Sequence, residues 1–332
     1  MWARQLSGRQ TRSSSFDFNS ILTPVPYGVW DYIAMPFILP PLSRRQFLAT
    51  SAGLAASLAA CAQARAADKP GYVALLADTH IAADKAAVSR DVNMTKPLTA
   101  VVEQIVKASE PPDFAILHGD AAFLKGEAGD YKTLGELLAP LGHSGLATYM
   151  LLGNHDDRDQ FRAGLKQYSG GSALEAKHSL YLKEFPHAHW YTLDSLDKVN
   201  VTPGKLGEEQ LAWLAKQLDE RTDKPAIVSV HHHPQFTGDK IGGITDTKAL
   251  FDVLVPRKHV KAVLFGHTHA WSIVQHEGIH LINLPPVGYP FDKAKPSGWV
   301  EARVSPDKMQ LTLRALNGHK QGGEQHELAF RT

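Results

Sequence analysis

Beyond residue 70, short apolar runs recur along the chain, and five of them stop at the same narrow kind of polar residue. "YVALLADTH" ends in Asp78 and His80, "FAILHGD" in Asp120, and "ATYMLLGNHD" in Asn154, His155 and Asp156. "AIVSVHHHP" ends in His231, His232 and His233, and "KAVLFGHTH" in His267 and His269. Unbroken runs of Val, Ile, Leu and Ala at this length predict strands buried on both faces. Between them the period lengthens. Segments 96–109, 130–141, 207–223 and 245–256 carry apolar residues at helical spacing, with Leu211, Leu214 and Leu218 on one stripe. Alternating strands and helices predict an α/β fold with a sheet covered on both faces. Two further strand patterns, 189–195 and a hairpin over 299–316, break the alternation. The expectation is therefore a sandwich of mixed β-sheets flanked by helices.

Ligands of open α/β sheets collect beyond the carboxyl ends of strands. Here five runs deliver Asp, His and Asn to that edge, all of them metal-ligand types. Residues 267 and 269 lie on one side of an extended backbone and can aim at a single point. A histidine pair taken alone is more often surface polarity, but five runs ending alike predict a convergent site.

Composition adds two things. All 17 histidines lie beyond Cys61, which favours metal or acid–base work in that region. Beyond residue 60, 30 basic residues face 32 acidic ones, which leaves no electrostatic footprint for nucleic acid. Basic stretches interleaved with aromatics are also missing, so nuclease activity is disfavoured.

The N-terminal region reads as an address. "SRRQFLATSAGLAASLAAC" places Arg44 and Arg45 before a 14-residue Ala-rich stretch too short to span a bilayer. Its Ser-Arg-Arg-x-Phe-Leu order resembles a twin-arginine export signal, which implies a passage through that machinery to the bacterial periplasm or cell envelope. "LAAC" resembles a lipobox that would lipidate Cys61, the chain's single cysteine and its one expected link to a membrane. "ARA" at 64–66 offers ordinary signal cleavage instead. The expected organisation is an extension over 1–42 that is disordered or begins at a start codon called too early, a signal over 43–66, and a catalytic domain over 70–332. The sequence carries no sign of oligomeric state.

Taken in order, Asp-x-His, Gly-Asp, Gly-Asn-His-Asp, a His two before Pro, and Gly-His-x-His closely resemble the calcineurin-like metallophosphoesterases. "GNHDDR", "HHHP" and "LGEEQLAWL" are most similar to the branch with class III cyclic-nucleotide phosphodiesterases and glycerophosphodiesterases. The resemblance implies two divalent metal ions. It places Asp78, His80 and His269 on the first and Asn154, His232 and His267 on the second, with Asp120 bridging. It selects His232 from the three consecutive histidines, although alternation leaves another choice open. His155 would stand beside the substrate phosphate as general acid or electrostatic clamp, oriented by Asp156. Two cations ~3.5–4 Å apart can bind phosphoryl oxygens and lower the pKa of a bridging water towards neutrality. Mixed His and carboxylate donors suit Fe, Mn, Zn or Co. The expected activity is hydrolysis of a small phosphomonoester or phosphodiester by metal-activated hydroxide.

Three points depart from this picture or remain open. Phe123 stands where relatives often carry a polar residue supporting the site, and the Gly-Asp-x-x-Asp-Arg-Gly block of protein phosphatases is absent. Arg158 is balanced between a substrate anion and a surface salt bridge. The alternative to an enzyme is an inactive metal- or ligand-binding protein on the same fold; a metal-storage protein would need flexible His-rich tracts, which the scattered blocks are not. His118 is expected to be a hydrogen-bonded core residue. His143, His187, His189, His259, His276, His280, His319 and His326 are expected at the surface or at strand ends, and Trp271 to pack beside the site. Substrate choice is expected in the connections 81–96, 157–188, 235–245 and 285–297.

Overall fold

The computed structural model describes residues 69–165, 177–238 and 242–332. The expected extension and export signal and Cys61 lie outside the described residues, as do parts of the 157–188 and 235–245 connections.

The five runs form β1 (Gly71–Leu76), β4 (Phe114–His118), β5 (Ala147–Leu151), β8 (Ala226–Ser229) and β9 (Val260–Phe265). The predicted strand at 189–195 is β7 (His189–Thr192), and the predicted hairpin is β12 (Gly298–Val304) with β13 (Lys308–Ala315). The four predicted helices are α1 (Thr95–Val106), α2 (Ala128–His143), α4 (Glu208–Glu220) and α5 (Thr247–Leu254). The chain also forms a ribbon of β2 (Val88–Ser89) and β3 (Val92–Asn93), and a short α3 (Arg158–Gly164) capped by the Asp157 side chain. Edge or short strands β6 (Tyr181–Glu184), β10 (Ser272–His276), β11 (Ile279–Asn283) and β14 (Gln325–Ala329) complete it.

Two six-stranded mixed sheets result, ordered β14-β13-β12-β1-β4-β5 and β10-β11-β9-β8-β7-β6. In the first, β1, β4 and β5 are parallel; in the second, β7, β8, β9 and β11 are. Period-two alternation explains the layering. On β1, Val73 and Leu75 point at the other sheet, into a core with Ile116, Trp190, Ile227 and Leu264. Tyr72, Ala74 and Leu76 point the opposite way, against Leu98, Val102 and Ile105 of α1 and Leu134, Leu138 and Leu141 of α2. Behind the second sheet, Tyr191, Val228 and Val263 pack on Leu214 and Leu218 of α4 and Leu250 and Leu254 of α5. Each buried Leu or Ile contributes about 1.5–3 kcal/mol, so emptying one inter-sheet position such as Leu75 would loosen both layers.

His118 is the core residue expected. Its Nδ1 meets the Leu76 carbonyl at 3.2 Å and its Nε2 meets Ser229 Oγ at 2.8 Å, which pins one sheet to the other. Trp190 Nε1 donates to the same hydroxyl at 2.8 Å. His187, His189 and His280 are buried, His189 at the strand end expected of it as the first residue of β7. Each has a ring partner, respectively the Lys69 carbonyl, Asp223 and the Ala329 carbonyl, which offsets the cost of burial. Trp271, expected beside the site, packs against the inter-sheet core, with its ring 5.9 Å from that of His326.

Candidate metal centre

The carboxyl ends of the parallel strands in both sheets open on one side, and the polar run ends meet there. The first sheet supplies Asp78, His80, Asp120 and Asn154; the second supplies His231, His232, His267 and His269. Asp78, His80, Asp120 and His269 form one group whose donor atoms lie within 4.8 Å of one another, and His231, His232 and His267 form another. Five of these residues hold left-handed backbone: Asp78 (φ 54°), His80 (49°), Asp120 (46°), His267 (68°) and His269 (54°). Non-glycine residues there cost of order 1–3 kcal/mol each, and such outliers concentrate at functional sites. Loop hydrogen bonds hold them, including Asp78 N to the Gly119 carbonyl at 3.1 Å and His80 N to the Asp120 carbonyl at 2.9 Å.

The atoms left over are those of metal donors. His80 Nε2 and His269 Nε2 face each other at 3.0 Å. His269 Nδ1 donates to the Tyr289 carbonyl at 2.5 Å, so its Nε2 turns a lone pair towards His80. Ser195 Oγ, 2.7 Å from His232 Nδ1, holds that ring's orientation with Nε2 turned to the cluster. Among the described residues the buried His232 Nε2 has no hydrogen-bond partner, and neither has the buried Asn154 Oδ1. Leaving such atoms unpaired is costly unless something outside the protein takes them. Burial lowers the pKa of His80 and His232 well below the ordinary value, that of His267 to about 3 and that of His269 to about 4. All four rings are neutral at pH 7, the form that binds metals. Asp120 lies between the groups, with Oδ2 3.9 Å from His80 Nε2 and Oδ1 3.3 Å from His231 Nε2. Burial opposes its charge, yet His231 holds its pKa well below the usual range. At Asp78 burial outweighs the lowering effect of His231, and its pKa is pushed up to about 8. The donor set thus fits two divalent cations.

The sequence profile of the calcineurin-like phosphoesterases matches residues 71–271. The chain belongs to this family. Similar relatives include a 3′,5′-cyclic adenosine monophosphate phosphodiesterase, CpdA, of Vibrio vulnificus, 27% identical over 72% of this chain and 84% of that one. A probable glycerophosphodiester phosphodiesterase, GpdQ, of Arcobacter nitrofigilis is 29% identical over 60% of this chain and 72% of its own length. A dimetal phosphatase of Danio rerio shares the fold with a TM-score of 0.62 at 16% identity, over 79% of this chain and all of that one. This calcineurin-like protein is a hydrolase of phosphate esters, with a residue cluster able to hold a dinuclear centre.

Within the family's site, one expected role changes hands. Asp156 does not orient His155. Its buried carboxylate accepts from the amides of Gly153 (2.9 Å), Ala121 (3.2 Å) and Ala122 (3.0 Å) and from the Tyr131 hydroxyl (3.1 Å). It therefore clamps the Asp120 loop to the Asn154 loop. That also answers the departure at Phe123, which packs on the core while Asp156 supplies the support. His155 is oriented by the Leu124 carbonyl, 2.8 Å from Nδ1, and its partly exposed ring directs Nε2 to within 4.0 Å of Asp120 Oδ2.

Arg158 serves the buried Asp194 in a bidentate pair at 2.7 and 3.0 Å, not a substrate anion and not a surface carboxylate. Sequence reasoning missed Ser195, although "HWYTLDS" ends in polar residues just as the five runs do. It also left His231 open. That ring is buried, with Nδ1 2.8 Å from the His118 carbonyl, and against the lowering effect of burial Asp120 raises its pKa to about 9.

Proposed function

We propose that this chain is an exported, dinuclear metal-dependent phosphodiesterase of small substrates, with cyclic nucleotides and glycerophosphodiesters as the first candidates. In this reading Asp78, His80 and His269 hold one divalent ion, Asn154, His232 and His267 the other, and Asp120 both. The observation carrying it is the pair of buried orphan donors, Asn154 Oδ1 and His232 Nε2, beside imidazole nitrogens that face each other.

When bound, the two cations stabilise charge on the phosphoryl oxygens and bring the pKa of a water between them towards neutrality. The chain's own residues do the rest. The Tyr289 carbonyl fixes the tautomer of His269 and Ser195 Oγ holds the orientation of His232, so both rings are positioned in advance. Buried, neutral imidazoles keep bulk water from the ligand edge. With Nδ1–H donating to the Leu124 carbonyl, His155 presents Nε2 to the reacting phosphate, and in its doubly protonated form it holds there the proton that the departing alkoxide takes. General acids placed this way contribute ~10²–10⁴-fold.

Diester preference is supported by relatives named as phosphodiesterases. The test is turnover of bis-p-nitrophenyl phosphate by the Mn²⁺-loaded protein, followed by cyclic nucleotides, glycerophosphodiesters and nucleotides. Wild type should act, Asp120→Ala should fall to background, and His155→Ala should keep its metal while losing rate. Metal retained by wild type with no rate above background would make it a binding protein instead. Export is supported by Arg44, Arg45 and the Ala-rich stretch. Cell fractionation of Arg44→Lys/Arg45→Lys should find the protein retained in the cytoplasm, and Cys61→Ser should release it from membranes if the lipobox is used.

A further inference from the structure

A cavity of about 840 Å³ adjoins the metal centre, between the β2–β3 hairpin, the start of α1 and the 288–297 loop. Tyr289 is their shared wall. One side of its ring stacks on His80 at 5.2 Å, its carbonyl holds His269, and the residue also lines the cavity.

The lining is cationic. Arg90, Lys96, Lys293 and Lys295 contribute to it, and among the described residues Asp91 is its one carboxylate. Lys293 covers that carboxylate at 2.7 Å and so ties the loop to the hairpin. Among the described residues neither Lys96 nor Lys295 has a carboxylate partner.

The hairpin is built to deliver Arg90. Its two tip residues, Arg90 (φ 50°) and Asp91 (φ 67°), both hold left-handed backbone, where tight hairpins ordinarily use Asn-Gly or Asp-Gly. The guanidinium lies 4.8 Å over the Phe291 ring and 5.8 Å over Tyr289. Phe291 stacks on the ligand His269 at 4.0 Å yet remains 53% exposed. A single layer of aromatic rings thus separates unpaired cations from metal-ligating imidazoles.

We infer that this cleft binds a second phosphate carried by the substrate whose ester sits at the metal centre. Cations in a low-dielectric recess focus anions, and guanidinium and ammonium groups are the usual phosphate partners. A substituent leaving the centre past Phe291 meets a flat apolar face first and the cations next. The preferred substrates are then phosphodiesters bearing a further phosphate, a narrower class than cyclic nucleotides. This inference rests on the phosphodiesterase reading given above.

The test compares thymidine 3′-phosphate 5′-(p-nitrophenyl phosphate) with thymidine 5′-(p-nitrophenyl phosphate), which release the same chromophore and differ by one phosphate. Wild type should favour the first in kcat/KM by about tenfold or more, an advantage typical of a charge-assisted contact. Lys96→Glu/Lys295→Glu, and less strongly Lys96→Gln/Lys295→Gln, should bring the ratio close to one. Turnover of bis-p-nitrophenyl phosphate should stay unchanged in both. Equal use of the two substrates by wild type, or a ratio that survives the lysine changes, would overturn the inference. Calorimetry of the Mn²⁺-loaded protein with thymidine 3′,5′-bisphosphate and thymidine 5′-monophosphate separates the two claims. If no substrate turns over but the lysines still confer tighter bisphosphate binding, the phosphodiesterase reading falls and the cleft stands. Equal affinities would remove the cleft.

Discussion

The first sheet carries one polar cluster on its helix-facing side and another beyond the carboxyl ends of its parallel strands, and the two behave in opposite ways. On the helix-facing side, Glu301 accepts from Arg303 at 2.9 Å and from Arg314 at 2.6 Å, while Arg303 also reaches Glu110 at 2.8 Å and lies 4.5 Å over Tyr72. Opposite charges meet, and Trp299–Arg303 keep ordinary strand backbone. Beyond the carboxyl ends, imidazole nitrogens face each other, buried polar atoms stay unpaired among the described residues, and five residues hold left-handed backbone. A cluster that satisfies itself is accounted for by stability alone. One whose partners can only come from outside the chain is accounted for by what it binds.

The comparison can be pressed first at Gly153. A Cβ there would overlap the Asp120 carboxylate and come within 2.7 Å of His231 Nε2. Gly153→Ala should therefore push Asp120 aside and reduce turnover by ~10²-fold or more, the cost of a displacement of about 1 Å. Metal content by mass spectrometry and unchanged circular dichroism would tie the loss to the site. Ser195→Ala should follow, with metal affinity reduced by ~10–100-fold through the freed His232 ring. Competition with a chelator reads this directly, and an unchanged affinity would remove Ser195 from the site's support.

Acidity offers a third test. The protonated form of Asp78 is favoured up to about pH 8, and a carboxylate must lose its proton to bind a cation. Metal affinity should therefore rise as pH rises from 6 to 8, by up to ~tenfold per unit for one proton released. Calorimetry in buffers of different ionisation enthalpy would count that proton; uptake in place of release would contradict it. The smallest expected effect on catalysis is at the helix-facing cluster. Glu301→Gln should cost about 1–3 kcal/mol of stability by leaving two arginines underpaired, while kcat and metal content stay as they were. A drop in activity would show that the two clusters are not independent.

The sequence disclosed the parts that repeat. Unbroken apolar runs announce parallel strands, and the residue types at their ends announce the centre. What stayed hidden was short or half-solvated. β10 reads "SIVQH" and β14 "QHELA", whose edge positions need no apolar run. The β2–β3 ribbon has two residues per strand, too few to show a period. Neighbouring positions were the harder difficulty within the site. Asp156 follows His155 directly, which suggested a pair, but in the tight turn after β5 the two side chains leave in different directions. Asp156 goes down to the amides and His155 outward to Leu124. His231 and His232 likewise both reach the cluster, because the chain leaves the strand after Ser229 and alternation no longer governs it.

The contact of His118 with Ser229 acquires a further meaning once the donors are divided by sheet. Of the seven proposed donor residues, four ride on the first sheet and three on the second, so catalysis would depend on alignment between two layers joined by side-chain packing and a few hydrogen bonds. Gentle heating or dilute urea that lets the layers slip by a fraction of an ångström should silence the enzyme while its helices and strands remain intact. Loss of turnover would then precede the collapse of the far-ultraviolet spectrum, and Ser229→Ala would widen the gap between the two.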